Sequence, residues 1–286
     1  MIASALAGVP ARRSPHAAAS GLLDIVRSGR RSVVTRAFAS SPLRLLTPSN
    51  HGDAAWIFTS TYGGGLVGGD AVRLRIDVGD GATALLQTQA STKVYRSPRG
   101  ASSSVDACVG EGGRLLVLPD PTVCFAGSAF EQVQHVDMRA GASLVLMDWM
   151  TSGRRAAGER WAFDRYESRV TVRCEGRVVL GDALLLSPDE GPLARRMGRF
   201  ECVCLIAVIG PGVREHAERA REEIARTEAR ARADLLTAAA PVGFDNDAGC
   251  VIRMAGVSVE EVGRAARAFL RFVPGLLGDD PWARKW

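Results

Sequence analysis

Three carboxylates stand where apolar residues are expected. Asp148 interrupts Leu144-Val145-Leu146-Met147-Asp148-Trp149-Met150. Asp182 interrupts Val178-Val179-Leu180-Gly181-Asp182-Ala183-Leu184-Leu185-Leu186. Asp70 closes a glycine run, Thr61-Tyr62-Gly63-Gly64-Gly65-Leu66-Val67-Gly68-Gly69-Asp70. A buried carboxylate without a partner is costly. Each of the three must pair with an arginine, accept hydrogen bonds or line a wet path. A path of carboxylates suits a cation in transit, because oxygen ligands exchange easily where thiolate or imidazole cages would hold the ion. Glu159 follows a glycine turn in Gly158-Glu159-Arg160-Trp161-Ala162-Phe163 and is a fourth candidate. Thr92, Lys93 and Arg154 add polar groups suited to such a path, to a partner surface, or to ion pairs that pin loops.

The glycine run imitates a nucleotide loop. Gly63, Gly65 and Gly68 satisfy G-x-G-x-x-G, but that loop must open a helix whose N-terminus faces a pyrophosphate. Here Ala71-Val72-Arg73-Leu74-Arg75-Ile76-Asp77-Val78 follows with the two-residue alternation of a strand. No Gly-Lys-Ser/Thr is present for a P-loop. The run reads as a turn needing positive φ that holds Asp70 at a strand mouth.

The elements around these residues are mostly strands. Gly81-Ala82-Thr83-Ala84-Leu85-Leu86, Gly113-Arg114-Leu115-Leu116-Val117-Leu118 and Gly141-Ala142-Ser143-Leu144-Val145-Leu146 each lead from a glycine turn into an apolar strand, with Gly176-Arg177-Val178-Val179-Leu180 as a weaker fourth copy. Recurrence every thirty residues or so predicts stacked, solenoid-like β-sheets. Residues 32–209 read as almost entirely β. Helices are expected late. One lies in alanine-rich 211–239, with i,i+4 pairs such as Glu222 and Arg226. Another starts at the capping box Ser258-Val259-Glu260-Glu261 and stops at Pro274-Gly275. The expected organisation is a loose tail over 1–31 and one domain over 32–286. That domain is a β core over 32–210 with a helix-containing part over 211–286 packed on it.

Of 286 residues, 47% are hydrophobic and 23% charged, which fits a globular chain with a real core. No apolar run reaches the roughly 18 residues of a membrane span. The net charge is +5, with Lys93 and Lys285 the only lysines. No basic stripe interleaved with aromatics marks a nucleic-acid surface. Six cysteines form no Cys-x-x-Cys, and Cys202 and Cys204 share one face of an apolar strand. They read as buried small hydrophobes in a reducing cytoplasm. Near the C-terminus, Phe269, Leu270, Phe272, Val273, Leu276 and Leu277 crowd into nine residues. One helix face cannot bury all of them. They either close the core or meet a partner.

Five motifs occur in order: Gly-Gly-Leu-Val-Gly-Gly-Asp (64–70), Thr-Lys-Val-Tyr-Arg-Ser (92–97), Pro-Asp-Pro-Thr-Val-Cys-Phe (119–125), Asp-Trp-Met-Thr-Ser-Gly-Arg (148–154) and Gly-Glu-Arg-Trp-Ala-Phe (158–163). Together they resemble the urease accessory protein family UreD, also called UreH, in the plant-like form of its glycine motif. The resemblance runs from about Ser32 to Pro281-Trp282. It implies a scaffold rather than an enzyme, β-rich with a few helices. Such a scaffold would join UreF-type and UreG-type proteins on apo-urease and pass nickel(II) through an internal tunnel, with no tightly bound cofactor. It places Asp70, Thr92, Lys93, Asp148 and Glu159 at polar family positions, and Asp182 more loosely. Phe269, Phe272, Leu276 and Leu277 would then serve a partner of the UreF type. The alternative from the residues alone is a β-solenoid hydrolase using Asp70, Asp148 or Glu159 as paired acid and base.

Overall fold

The computed structural model describes residues 20–228, 230, 232–243 and 248–283. An N-terminal hairpin of β1 (Gly21–Ser28) and β2 (Arg31–Ala39) leads to β3 (Leu43–Leu46) and β4 (Ala55–Thr61). Three coils follow: β5 (Ala71–Val78), β6 (Thr83–Thr88) and β7 (Thr92–Val94); β8 (Ala101–Val109), β9 (Arg114–Val117) and β10 (Thr122–Cys124); β11 (Ala129–Met138) and β12 (Ser143–Thr151). A hairpin of β13 (Arg165–Cys174) and β14 (Arg177–Leu186) ends the coils. After α1 (Leu193–Arg196) come β15 (Cys202–Ile209), α2 (Arg214–Ala225), β16 (Leu235–Val242), β17 (Gly249–Gly256), α3 (Val259–Phe269) and α4 (Val273–Leu277).

The coils are a mainly parallel solenoid. Each gives one strand to a first sheet, ordered β14-β13-β11-β8-β5-β1-β2, and one to a second, ordered β16-β17-β15-β12-β9-β6-β4-β3. The short strands β7 and β10 pair in parallel and form a third wall, joined to β12 through Thr122 and Met150 and to the glycine run through Leu66 and Val94.

The second sheet is buried on both faces. Along β12, Leu144, Leu146 and Met150 face the first sheet, while Val145, Met147 and Trp149 face the helices. Period-2 alternation therefore divides the core into two apolar layers. Helix α3 caps the outer layer with Val262, Ala266 and Leu270 and is started by the Ser258 hydroxyl, which accepts from the Glu261 amide at 3.2 Å. Cys202, Cys204 and Cys250 lie in this outer layer, and burial pushes the Cys202 and Cys250 thiols up to about 12 and about 11. Cys108, by contrast, is exposed and Cys174 half-buried.

Several expectations are corrected. Thr83, Arg114 and Ser143 are neighbours in the second sheet, so the repeats step by 31 and then 29 residues. Gly112, with φ +61, is thus the turn equivalent of Gly81 and Gly141, and Gly113 is not. The fourth copy at Gly176 is no repeat, because β13 and β14 run antiparallel and close the solenoid. The tail boundary at residue 31 is too late. β1 inserts Leu23 and Ile25 into the core beside β5, and only residues 1–19 of the expected tail lie outside the described residues. The alanine-rich segment is helical only to Ala225. Leu235–Val242 is an edge strand on β17, where small side chains suit strand pairing as well as a helix. Pro274-Gly275 does not end α3; Pro274 sits in the first turn of α4, which its fixed φ favours.

Leu144 is fully buried between the sheets. Leu144→Ala should lower unfolding free energy by about 2–5 kcal/mol, read from denaturant melts. A loss under about 1 kcal/mol would show that the sheets collapse onto the space.

Candidate functional site

One polar strip crosses the apolar space between the sheets. On the first sheet, Ser103, Gln132 and Ser168 are in-register neighbours on β8, β11 and β13. On the second, Thr59 neighbours Thr88, and further along Asp148 neighbours Leu205, which neighbours Arg253. A cavity of about 160 Å³ opens along the strip, with Thr59, Thr88, Thr92, Gln132 and Asp148 on its walls among apolar side chains such as Leu66, Leu74 and Phe130. Gln87 also lines it; its side-chain amide is fully buried and meets no protein partner among the described residues.

Asp148 is the centre of the strip. Its position in β12 sends the carboxylate toward the first sheet, where its partners are all neutral. Gln132 Nε2 donates to it at 2.9 Å, the Ser168 hydroxyl donates, and the Tyr166 hydroxyl reaches it at 3.5 Å. Gln132 Nε2 also contacts Ser168 Oγ at 3.2 Å, which locks both donors. Burial pushes the Asp148 carboxyl above the ordinary carboxylate range. The Ser168 and Gln132 hydrogen bonds pull it back, and the charge of Asp182 adds to the rise. Burial likewise raises the Tyr166 hydroxyl, which keeps it a donor. The site thus offers one carboxylate with amide and hydroxyl oxygens beside it. Such a set holds a divalent cation loosely.

The other expected acids do not join it. Asp182 faces the same space from β14 but is ion-paired to Arg253, which reaches across from β17. Glu159 pairs with Arg154 and accepts from the Ala126 amide at 3.1 Å; the Arg154 hydrogen bond holds its carboxyl below the usual range. Arg154 in turn lies over the Phe125 ring. Asp70 accepts from the Val67 amide at 2.8 Å and staples the glycine turn. There Gly63, Gly64 and Gly69 have positive φ, and a side chain at Gly68 would strike Ser97. Lys93 is exposed and away from the cavity, whereas its neighbour Thr92 lines it. The sequence reading did not single out Asp120, Gln132, Ser168 or Arg253. Asp120 lines the cavity and its amide donates to Thr88 Oγ1 at 2.7 Å. Gln132 was signalled only as a polar residue on the buried face of β11.

The C-terminal cluster mainly closes the outer apolar layer. Leu270, Val273 and Leu277 are buried, so Leu277 is no docking residue; it is needed where α4 seals the core beside Gly52. Phe269, Phe272 and Leu276 are half-buried on the same layer. Phe272 stacks on His216 at 4.0 Å, and both rims face a cavity of about 290 Å³ with Phe269, Arg219 and Arg271.

Residues 17–286 match the model of the family described as UreD urease accessory protein. The chain belongs to the UreD urease accessory protein family. It is 50% identical over 276 residues to the urease accessory protein UreD of Sorangium cellulosum, covering 96% of this chain and 86% of the relative. It is 32% identical over 304 residues to urease accessory protein D of Oryza sativa subsp. japonica, covering 96% and 98% of the two chains. With that of Arabidopsis thaliana it shares 30% over 294 residues, covering 93% and 100%. The match to UreD begins at residue 17, fifteen residues before Ser32, which agrees with the early start of β1.

The raised Asp148 carboxyl has a pH consequence. A carboxyl whose pKa is higher folded than unfolded, where it is about 4, contributes stability that is complete below the unfolded value and lost as pH rises through the folded one. Asp148→Asn removes that loss. Between about pH 4 and about pH 8, the variant should gain on the wild type in melting temperature. A variant that instead loses ground toward pH 8 would show that the site favours the charged form.

Proposed function

We propose that this chain is a urease maturation scaffold that passes nickel(II) along the strip between its sheets toward the urease active site. Membership of UreD supports the urease maturation role. The observation that supports the path is Asp148, a carboxylate held by neutral donors in the middle of an oxygen-lined strip. A structural ion pair would supply an arginine there. A storage site would supply imidazole or thiolate, and among the described residues no cluster of three such ligands exists. Nickel is cargo on this reading, taken up by Asp148 and the Gln132 and Ser168 oxygens and released by exchange. Of the other candidates, Thr92 lines the mouth, Asp70 and the Arg154–Glu159 pair fix loops, and Lys93 stays outside the cavity. The partners are a UreF-type protein, a UreG-type GTPase and apo-urease. The location is cytoplasmic, with the free and mainly buried thiols in support. No helix of the described residues is long and apolar enough to cross a membrane.

The hydrolase reading needs two carboxylates working at one cavity. Of the acids it named beside Asp148, Glu159 and Asp70 are engaged elsewhere, and the second carboxylate at the cavity is Asp120, which accepts from the Thr88 hydroxyl at 3.4 Å.

Asp148→Asn keeps the shape and removes the charge; its Oδ1 can still accept from Gln132, while its Nδ2 must donate toward the Ser168 hydroxyl. In cells co-expressing urease with its accessory proteins, the variant should still co-purify with its partners and melt no lower than wild type, while urease activation falls at least about tenfold, as loss of a charged ligand worth about 1.4 kcal/mol or more would require. Full activation by the variant would refute the path. Turnover of urea by the isolated chain would refute the scaffold.

For docking, the half-buried rim of Phe269, Phe272 and Leu276 beside Arg219 and Arg271 is our candidate for the UreF-type protein. Arg219→Glu with Arg271→Glu, which leaves the buried layer untouched, should abolish co-purification. A double variant still bound to its partner would place the interface elsewhere.

A further inference from the structure

The far end of the strip is occupied by a side chain no motif pointed to. Arg253 lies on the inter-sheet face of β17, in the same row as Leu205 and Asp148, two strand spacings from Asp148 or roughly 10 Å. Its guanidinium crosses the open side of the sandwich to Asp182, whose partner on β13, Val170, is a core residue. The two members differ in freedom. The Asp182 side chain is 15% exposed and fixed by its strand, whereas that of Arg253 is 56% exposed on a long flexible stem. Leu205, 8% exposed, separates this pair from Asp148.

We propose that Arg253 is a resident counter-ion at the exit of the path, occupying Asp182 until a divalent cation displaces it and keeping that cation from being held. This rests on the cation-path reading above. Without the guanidinium, Asp182 and Asp148 would face one strip as two uncompensated carboxylates. A divalent ion would bridge or lodge there, and transit would stop. With it, an arriving ion must compete for Asp182, and the displaced guanidinium has solvent to move into. The charge of Asp182 is already felt at Asp148, which places both acids in one electrostatic field.

Equilibrium dialysis of the full-length chain against nickel(II) chloride tests this. Arg253→Gln should bind nickel about two- to fivefold more tightly, the range set by loss of a competing, partly exposed ion pair. Arg253→Lys, which restores a cation, should return to wild-type affinity, an outcome a purely structural arginine would not give. The gain should vanish when Asp182→Asn is added. Asp182→Asn alone should bind nickel no more tightly than wild type, because the carboxylate is masked by Arg253. Unchanged binding by Arg253→Gln, a gain that survives Asp182→Asn, or tighter binding by Asp182→Asn alone would each overturn the proposal. Failure of the path itself reads out separately, as full urease activation by Asp148→Asn.

Discussion

Each coil gives one strand to each sheet, and every strand pairs in register with its counterpart in the next coil. A residue placed at one coil position therefore lies at the same height as its equivalents in the neighbouring coils. Parallel pairing makes this strict, because a slip of one residue would turn a whole strand inside out. The positive-φ turns at Gly81, Gly112 and Gly141 hold the register by starting β6, β9 and β12 at one level. Everything that matters about the strip follows from this. Ser103 and Gln132 come from two coils and Ser168 from the closing hairpin, yet they form one line because their strands are in phase.

That line is affordable only because the rest of the interior is apolar and complete. The layer between the sheets runs from Leu23 and Ile25 on β1 to Val170 and Val172 on β13, and the layer under the helices is separate. A carboxylate in such a space costs several kcal/mol unless it is solvated by donors. Gln132, Ser168 and Tyr166 supply that solvation without cancelling the charge. An arginine in their place would have made a more ordinary ion pair, as Asp182 and Arg253 make at the rim. The contrast between the two acids is the chemical content of the strip: one is charged or protonated according to its surroundings, the other is spoken for.

The sequence shows the strands well because alternation is local. Val72, Leu74, Ile76 and Val78 all turned inward as their spacing required, and Asp148 stood out because it broke such a pattern. The partners of Asp148 were invisible for the opposite reason. Gln132 and Ser168 are sixteen and twenty residues away and meet it only once β11, β12 and β13 are stacked. Arg253 is 71 residues from Asp182, on a strand added after the solenoid ends. The phase of the repeat was misjudged by one residue at Gly113 because Gly112-Gly113 offers two glycines and only pairing decides between them. β16 was hidden for a compositional reason: Leu235 to Ala240 has the small residues of a helix, and its fate is set by β17 alone.

The two ends of the strip are electrostatically unequal. At the mouth the walls carry hydroxyls from Thr59, Thr88 and Thr92 and, beside Thr88, the Asp120 carboxylate. In the middle stands Asp148, and at the rim a guanidinium. At an effective dielectric constant of about 20, two unit charges about 10 Å apart interact by roughly 1.7 kcal/mol. A divalent ion at Asp148 would feel about twice that repulsion from Arg253, offset in large part by Asp182 beside it. On the proposed reading, a cation drawn in from the threonine end comes to rest at Asp148 and does not run through. Its onward step then depends on how the Asp182–Arg253 pair opens, and that pair sits at the open side of the sandwich, where a bound partner could reach it. Transfer would in that case be governed less by affinity for the ion inside the chain than by what touches its rim.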